Sequence, residues 1–337
     1  MKTGTLALGG RQLGEGQPCL VAAHVGTAHE GDADAALRLI EAAFQAGADA
    51  IVFPVFRATD LLARRHPERK ELEAAELTSK EWRKVLEAAR ASGLAVVVEA
   101  FDTASRDLAA EAGVDAFQAH PTDLDHPELL RGLAAADRPV LVGTGGAADA
   151  PLREALDAAG RKAALVVGPV AAPAAAEELR LAEIVAMRER HRVPVGLLDA
   201  TDGGSAFALL APALAAAHGA DFVEKRLTLD RSRKGRDWAS ALSPEDFYRM
   251  VELLRLAERA RGDGEMLGPR AEARGRSIVA AALIGRGDVL TVEMLRFKRT
   301  DERFERGLAP AESHRVIGRR AARPIQADET IREDMLE

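Results

Sequence analysis

The chain has 337 residues, with 46 Lys and Arg against 53 Asp and Glu, one Cys and 15 Pro. A formal charge of −7 excludes a nucleic-acid binder that lives on phosphate attraction, which needs a basic surface. The lone Cys19 excludes a disulfide framework and any cysteine-based zinc cluster, and points to a reducing, cytoplasmic compartment. The first four residues lack the apolar run of a signal peptide. The longest apolar stretch, 206–217, contains Pro212 and falls short of the ~18 residues of a membrane span, so no membrane contact is expected. Aromatics are only 4% of the chain, which leaves few platforms for stacking a sugar or a base.

In chain order, residues 1–18 hold two glycine-bearing turns and predict a hairpin that caps the floor of a larger domain. β-branched apolar runs follow at 19–26, 49–57, 94–102, 116–120, 139–146, 163–170, 193–200 and 222–229. Between them lie segments of helical spacing such as 34–47, 79–93 and 176–191. Thr78 or Ser79 is placed to cap the second of these, and Gly47, Gly93 and Gly160 stand where helices should stop. Several strands are apolar on both faces, as in Ala95-Val96-Val97-Val98, which is the mark of parallel strands buried between helices. Eight such units over residues 19–260 predict an α/β fold, a (β/α)8 barrel, and no glycine-rich phosphate loop follows the first strand to suggest an open dinucleotide-binding sheet.

Composition shifts at Arg261-Gly262-Asp263-Gly264, which opens a linker over 261–274. In residues 275–337, Ile284, Asp288, Leu290, Glu293, Met294 and Leu295 are matched at a constant offset by Ile325, Glu329, Ile331, Asp334, Met335 and Leu336. Two copies of a β-turn-β unit with a short helix predict a closed, pseudo-twofold module. The charged run 296–306 between them reads as a solvated loop.

These features together resemble the sialic acid synthase family, whose members join phosphoenolpyruvate to an N-acetylated sugar and carry a C-terminal SAF (antifreeze-like) domain. The resemblance spans nearly the whole chain. It rests on Ala23-His24-Val25-Gly26 with His29-Glu30-Gly31-Asp32, Ala46-Gly47-Ala48-Asp49-Ala50, Phe101-Asp102, Gly113-Val114-Asp115-Ala116-Phe117 and Thr144-Gly145. It continues through Val193-Pro194-Val195-Gly196, Val223-Glu224-Lys225, Leu227-Thr228-Leu229-Asp230, Arg276-Ser277-Ile278-Val279-Ala280 and Phe297-Lys298-Arg299.

The resemblance implies catalytic positions that this sequence fills differently. His24 stands where the family ends its first strand in a Glu; Val52 and Pro54 stand at a Lys and a Gln; Gln118 and Pro121 stand at a Lys and a Ser. Gly143 replaces a Ser, and Val167 and Ala171-Ala172 replace a His and an Asn-Tyr pair. The two metal-holding His positions are Ala200 and Arg226. A phosphoenolpyruvate trianion needs cations or amide dipoles in a dry site, and losing one such donor costs ~10²–10³ in rate. The expectation is therefore a diverged site with no metal and no cofactor.

Strand alternation, matched to the family's inward positions, leaves His24, Glu99, Gln118, His120, Glu224 and Arg226 as the polar groups at the barrel mouth. His24, Glu99 and Glu224 are the candidate catalytic groups; Arg57, Gln118, His120, Arg226, Asp237 and Arg299 are the candidate ligand-binding ones. Arg57 matches a basic position after the second strand and Asp237 a sugar-contacting Asp. Arg299 matches an Arg that the SAF domain sends into a partner's site, which implies a domain-swapped homodimer. Plainer readings stand beside these. The histidines can be satisfied core residues, and Glu99, Glu224 and Arg226 an internal ion-pair cluster. A metal held by His24, His120 and a carboxylate is disfavoured, because strands one and four lie almost opposite across a barrel. Asp102, Asp123, Asp199 and Lys225 read as loop-anchoring groups, and Cys19 as a small core residue at the barrel floor. The partner expected is a small anionic or sugar-like molecule. An altered, metal-independent activity, an inactive binding protein and the ordinary condensation all remain open.

Overall fold

The computed structural model describes residues 4–262, 275–300 and 307–337. The chain divides into two compact units, Met1–Gly264 and Glu265–Glu337. The first opens with an antiparallel hairpin of β1 (Leu6–Leu8) and β2 (Arg11–Leu13), turned by Gly9 and Gly10 at φ of 54° and 79°. Eight parallel strands then close a barrel: β3 (Leu20–His24), β4 (Ala50–Val55), β5 (Ala95–Ala100), β6 (Ala116–Ala119), β7 (Val140–Gly143), β8 (Ala163–Val167), β9 (Val195–Asp199) and β10 (Phe222–Arg226). They pair in chain order, and β10 closes against β3 with Arg226 opposite His24. The (β/α)8 architecture is thus present.

Helices α1 (Ala33–Gln45), α2 (Ala58–Leu61), α3 (Arg69–Ala75), α4 (Ser79–Ala91) and α5 (Thr103–Ala112) cover the first half of the barrel. The second half carries α6 (Pro127–Ala134), α7 (Asp149–Ala159), α8 (Ala182–His191), α9 (Phe207–Ala217) and α10 (Pro244–Arg261). Thr78 caps α4 in a full capping box, its hydroxyl accepting from the Glu81 N–H at 3.3 Å while Glu81 Oε2 accepts from the Thr78 N–H at 2.8 Å. The helix expected over 176–191 is split into a 3₁₀ turn, Ala176–Leu179, and α8, because Arg180 between them takes left-handed backbone at φ 45°. α2 and α3 are additions that the sequence does not announce.

Two cores hold this unit together. One lies between barrel and helices and includes Phe53, Trp82, Phe117 and Phe247. The other fills the barrel, where inward Leu20, Ala22, Ala50, Val52, Val97, Leu141, Val166 and Phe222 meet Leu6, Leu8 and Leu13 of the hairpin. Phe222 fits only because its neighbour is Gly196: a Cβ there would lie 2.4 Å from the Phe222 ring. Cys19 is buried beside β3 at the floor, and burial pushes its thiol up, so it is inert packing.

In the second unit, β11 (Ser277–Ala280) pairs antiparallel with β12 (Leu295–Lys298). The sequence repeat is a symmetry of the core. Ile284 and Ile325 exchange backbone hydrogen bonds of 2.9 and 3.0 Å, and Leu290, Leu295, Ile331, Met335 and Leu336 pack around them. Each copy closes its turn in the same way: Asp288 Oδ2 accepts from the Gly285 N–H and Glu329 Oε2 from the Gln326 N–H, both at 2.7 Å. Of the run read as a loop, 296–298 is exposed strand, and 301–306 lies outside the described residues. So does the predicted linker from 263 onward. No helix among the described residues is long and apolar enough to cross a membrane.

Candidate functional site

At the C-terminal ends of the barrel strands lies a cavity of about 300 Å³, the face on which barrel enzymes work. His24, Glu99, His120, Arg226 and Asp237 all line it. The two histidines share it although their strands are not neighbours.

His24 is 5% exposed, and its Nδ1 accepts the Gly26 N–H at 3.1 Å. That bond places the proton of the neutral ring on Nε2, which faces Glu99 Oε2 at 3.8 Å. Burial, and then the Arg226 charge, lower the His24 pKa to about 3, so the imidazole is neutral at pH 7. Burial and then the Glu224 carboxylate raise Glu99 to about 8, so at neutral pH it holds its proton. His120 is built like His24. Its Nδ1 accepts the Thr122 N–H at 3.2 Å, leaving Nε2 as the donor, and burial lowers it to about 4. Its ring lies 5.8 Å from that of Phe101.

Arg226 is held through one nitrogen. Its Nη1 donates to Ser240 Oγ at 2.9 Å and lies 3.7 Å from Asp237 Oδ1, while Nε is buried with no partner. Asp237 takes left-handed backbone at φ 65°, and its Oδ2 reaches Thr27 Oγ1 at 3.4 Å. Gly26 makes this approach possible, since a Cβ there would lie 2.7 Å from Oδ2.

Glu224 and Gln118 sit below the cavity and do not line it. Gln118 Nε2 donates to Glu224 Oε2 at 3.1 Å, and the amide oxygen of Gln118 and Oε1 of Glu224 have no partner among the described residues. Burial raises Glu224 to about 7. The cluster expected among Glu99, Glu224 and Arg226 is not an ion-paired one: among the described residues Arg226 pairs with Asp237, and neither glutamate lies within ion-pair distance of it. Arg57 is 63% exposed beside Asp60 at 3.6 Å and does not line the cavity. Arg299 follows β12 in the second unit and is exposed.

Of the residues read as anchors, Asp102 caps α5 through the Ser105 N–H at 2.7 Å. Lys225 and Asp199 are a fully buried pair on the outer side of the barrel. Lys225 Nζ donates to Asp199 Oδ2 at 2.9 Å and to the Thr201 carbonyl at 3.1 Å, and Asp199 Oδ1 accepts the Thr201 N–H at 2.8 Å.

Sequence reasoning missed the rest of the cavity. Phe56, Phe101, Leu61, Leu62 and Leu72 form one wall, so aromatic side chains do reach the site. Arg236 sits at the rim, bonded to Glu68 Oε2 at 2.7 Å. The apolar spacing of Leu61, Leu62 and Leu72 around a charged run is the one signal that marks this wall.

The divalent metal that the resemblance implies does not fit these residues. Ala200 has no donor atom, and the Arg226 guanidinium repels a cation. Among the described residues no three His, Cys, Asp or Glu side chains converge on a metal-sized site. The floor presents instead a set of donors: His24 Nε2–H, the Glu99 carboxyl and the Arg226 guanidinium. Such a set suits a carboxylate or a carbonyl oxygen that gains negative charge.

Residues 39–266 match the NeuB family and residues 275–337 the SAF domain. The chain is 31% identical to an uncharacterized protein of Methanocaldococcus jannaschii, over 89% of this chain and 90% of that one. It is 27% identical to the N,N'-diacetyllegionaminic acid synthase of Legionella pneumophila, over 94% of each. The crystal structure of an N-acetylneuraminic acid synthetase from Leptospira borgpetersenii shares the fold, with a TM-score of 0.74 at 24% identity, covering 80% of this chain and 94% of that one. By these matches and by its barrel and C-terminal module, the chain belongs to the NeuB family and carries a SAF domain.

Proposed function

We propose that this chain binds a small anionic or sugar-like ligand at the barrel mouth and acts on it by proton transfer without a metal ion, in carbohydrate or secondary-metabolite biosynthesis. The observation that carries the reading is the Glu99 carboxyl, held protonated beside the His24 Nε2–H and Arg226. In this reading Glu99 is the acid–base group, with a pKa close enough to neutrality to give and recover a proton. His24 is a fixed donor to the ligand oxygen, and Arg226 and His120 hold its charged or polar end. Glu224 acts from below by lifting Glu99, not by touching the ligand.

The test is exchange of the C3 protons of pyruvate in D₂O, followed by NMR. The wild type exchanges faster as the pH rises toward 8, and Glu99→Gln abolishes the exchange. Calorimetry with manganese and phosphoenolpyruvate supplies the opposing result: tight binding of either restores the ordinary condensation and sinks the altered chemistry. A second reading, an inactive binding protein, is favoured by the hold of Ser240 and Asp237 on Arg226. Binding of pyruvate without exchange would establish it. The proposal includes a homodimer in which Arg299 of one chain serves the cavity of the other, and a monomer by light scattering at micromolar concentration counts against that part.

A further inference from the structure

The cavity has two faces of opposite character. Polar groups come from one side and from the floor: His24 at the end of β3, Glu99 on β5, and Arg226 with Asp237 at and after the end of β10. The apolar part of the lining is Phe56 just past β4, Leu61 and Leu62 at the α2 end, Leu72 in α3 and Phe101 just past β5, with His66 also reaching the cavity from the α2–α3 segment. This wall is not borrowed from the barrel. Phe56, Ala58 and Leu72 form a hydrophobic cluster of their own, with Leu61, Leu62 and Phe101 packed against it. The Phe56 and Phe101 rings meet edge to face at 6.3 Å. A satellite cluster of this kind is built under a loop segment and needs a reason to open onto a polar floor.

A polyol ring offers a hydroxyl in most directions, and each one turned toward that wall would lose its water without gaining a partner. At the rim, Arg236 and Glu68 are already bonded to each other. An acid with an apolar substituent meets both faces at once. We infer that the site takes a small 2-oxo acid or related carboxylate with an apolar tail, its carboxylate and carbonyl oxygen on the donor floor and its tail against Phe56, Phe101 and the α2–α3 leucines. At about 300 Å³ the cavity lies at the small end of ligand sites, which limits the tail to a branched aliphatic or single aryl group. The inference rests on the proton-transfer reading for its floor and adds the wall.

The experiment compares pyruvate, 4-methyl-2-oxopentanoate, phenylpyruvate and N-acetylmannosamine by calorimetry on the full chain. Each fully buried methylene strengthens binding about fourfold, so the three extra carbons of 4-methyl-2-oxopentanoate raise affinity over pyruvate by up to about sixtyfold, and by roughly tenfold if they are only partly buried. Leu62→Asn, at a partly exposed position, brings that ratio below about threefold; its thermal melt without ligand confirms the fold. Arg226→Gln weakens both acids alike and preserves their ratio. Equal binding of the short and long acids, or tighter binding of N-acetylmannosamine, overturns the apolar-tail inference while the donor floor stands. If none of the acids binds, the donor floor and the inference fall together.

Discussion

Replacing Glu99 by Gln removes the titratable proton at the cavity floor while keeping the shape of the side chain. In the folded chain Glu99 keeps its proton up to about pH 8, against an ordinary value of 4.5. Folding therefore takes up a proton between those limits, and the Glu99 contribution to stability is full below pH 4.5 and lost as pH rises through 8. At 1.36 kcal/mol per pH unit the interval amounts to about 5 kcal/mol, an upper bound for a group whose neighbour Glu224 titrates with it. That is a large fraction of the ~5–15 kcal/mol that holds a domain folded. Urea unfolding of wild type and Glu99→Gln at each half unit from pH 5 to 9 reads the effect. The wild type loses stability relative to the variant by several kcal/mol across the series, with most of the loss before pH 8.5. A constant difference, or a wild type that gains on the variant as pH rises, refutes the buried, proton-holding carboxyl and the acid–base role with it.

Lys225→Met leaves Asp199 buried without its cation and costs about 3–5 kcal/mol in urea unfolding, whereas Lys225→Met with Asp199→Leu recovers much of that loss. Gly196→Ala drives a methyl into the Phe222 ring and lowers stability by about 1–3 kcal/mol, visible as a drop in Tm. Thr78→Ala opens the capping box of α4 and costs about 1 kcal/mol by the same measurement. Arg236→Ala, by contrast, breaks a half-exposed rim pair worth at most about 1 kcal/mol, so its Tm stays near that of the wild type.

What the sequence discloses follows the physics of each element. The barrel strands are readable because both faces are buried, so runs such as Ala163–Val167 need no contrast with polar neighbours. The inward positions follow from alternation matched to the family's own inward positions, which is why His24, Glu99, His120 and Arg226 can be named before their contacts are known. Their states cannot. The tautomer of His24 hangs on one backbone N–H, that of Gly26, and the partner of Arg226 is supplied by a loop in which Asp237 adopts a left-handed conformation. The α2–α3 wall is hidden by the charges of Arg64-Arg65-His66 and Glu68-Arg69-Lys70, which read as solvated chain although Leu62 and Leu72 on either side turn inward. The internal repeat of the second unit is legible for the opposite reason: a symmetric core requires matching apolar residues at matching places, and Ile284 and Ile325 meet at its centre.

The barrel is filled from below by the leucines of an N-terminal hairpin and wrapped from outside by a separate helix-facing core, and neither cluster includes His24, Glu99 or Arg226. The polar ring at the mouth thus lies outside both apolar cores, and it is tied to the scaffold by hydrogen bonds and buried charge rather than by apolar packing. Substitutions in that ring leave both apolar cores whole, and what they cost in foldedness is set by the buried charges they add or remove, as at Glu99. A lineage with this division can exchange one chemistry for another through a few side chains, retaining the same eight strands throughout.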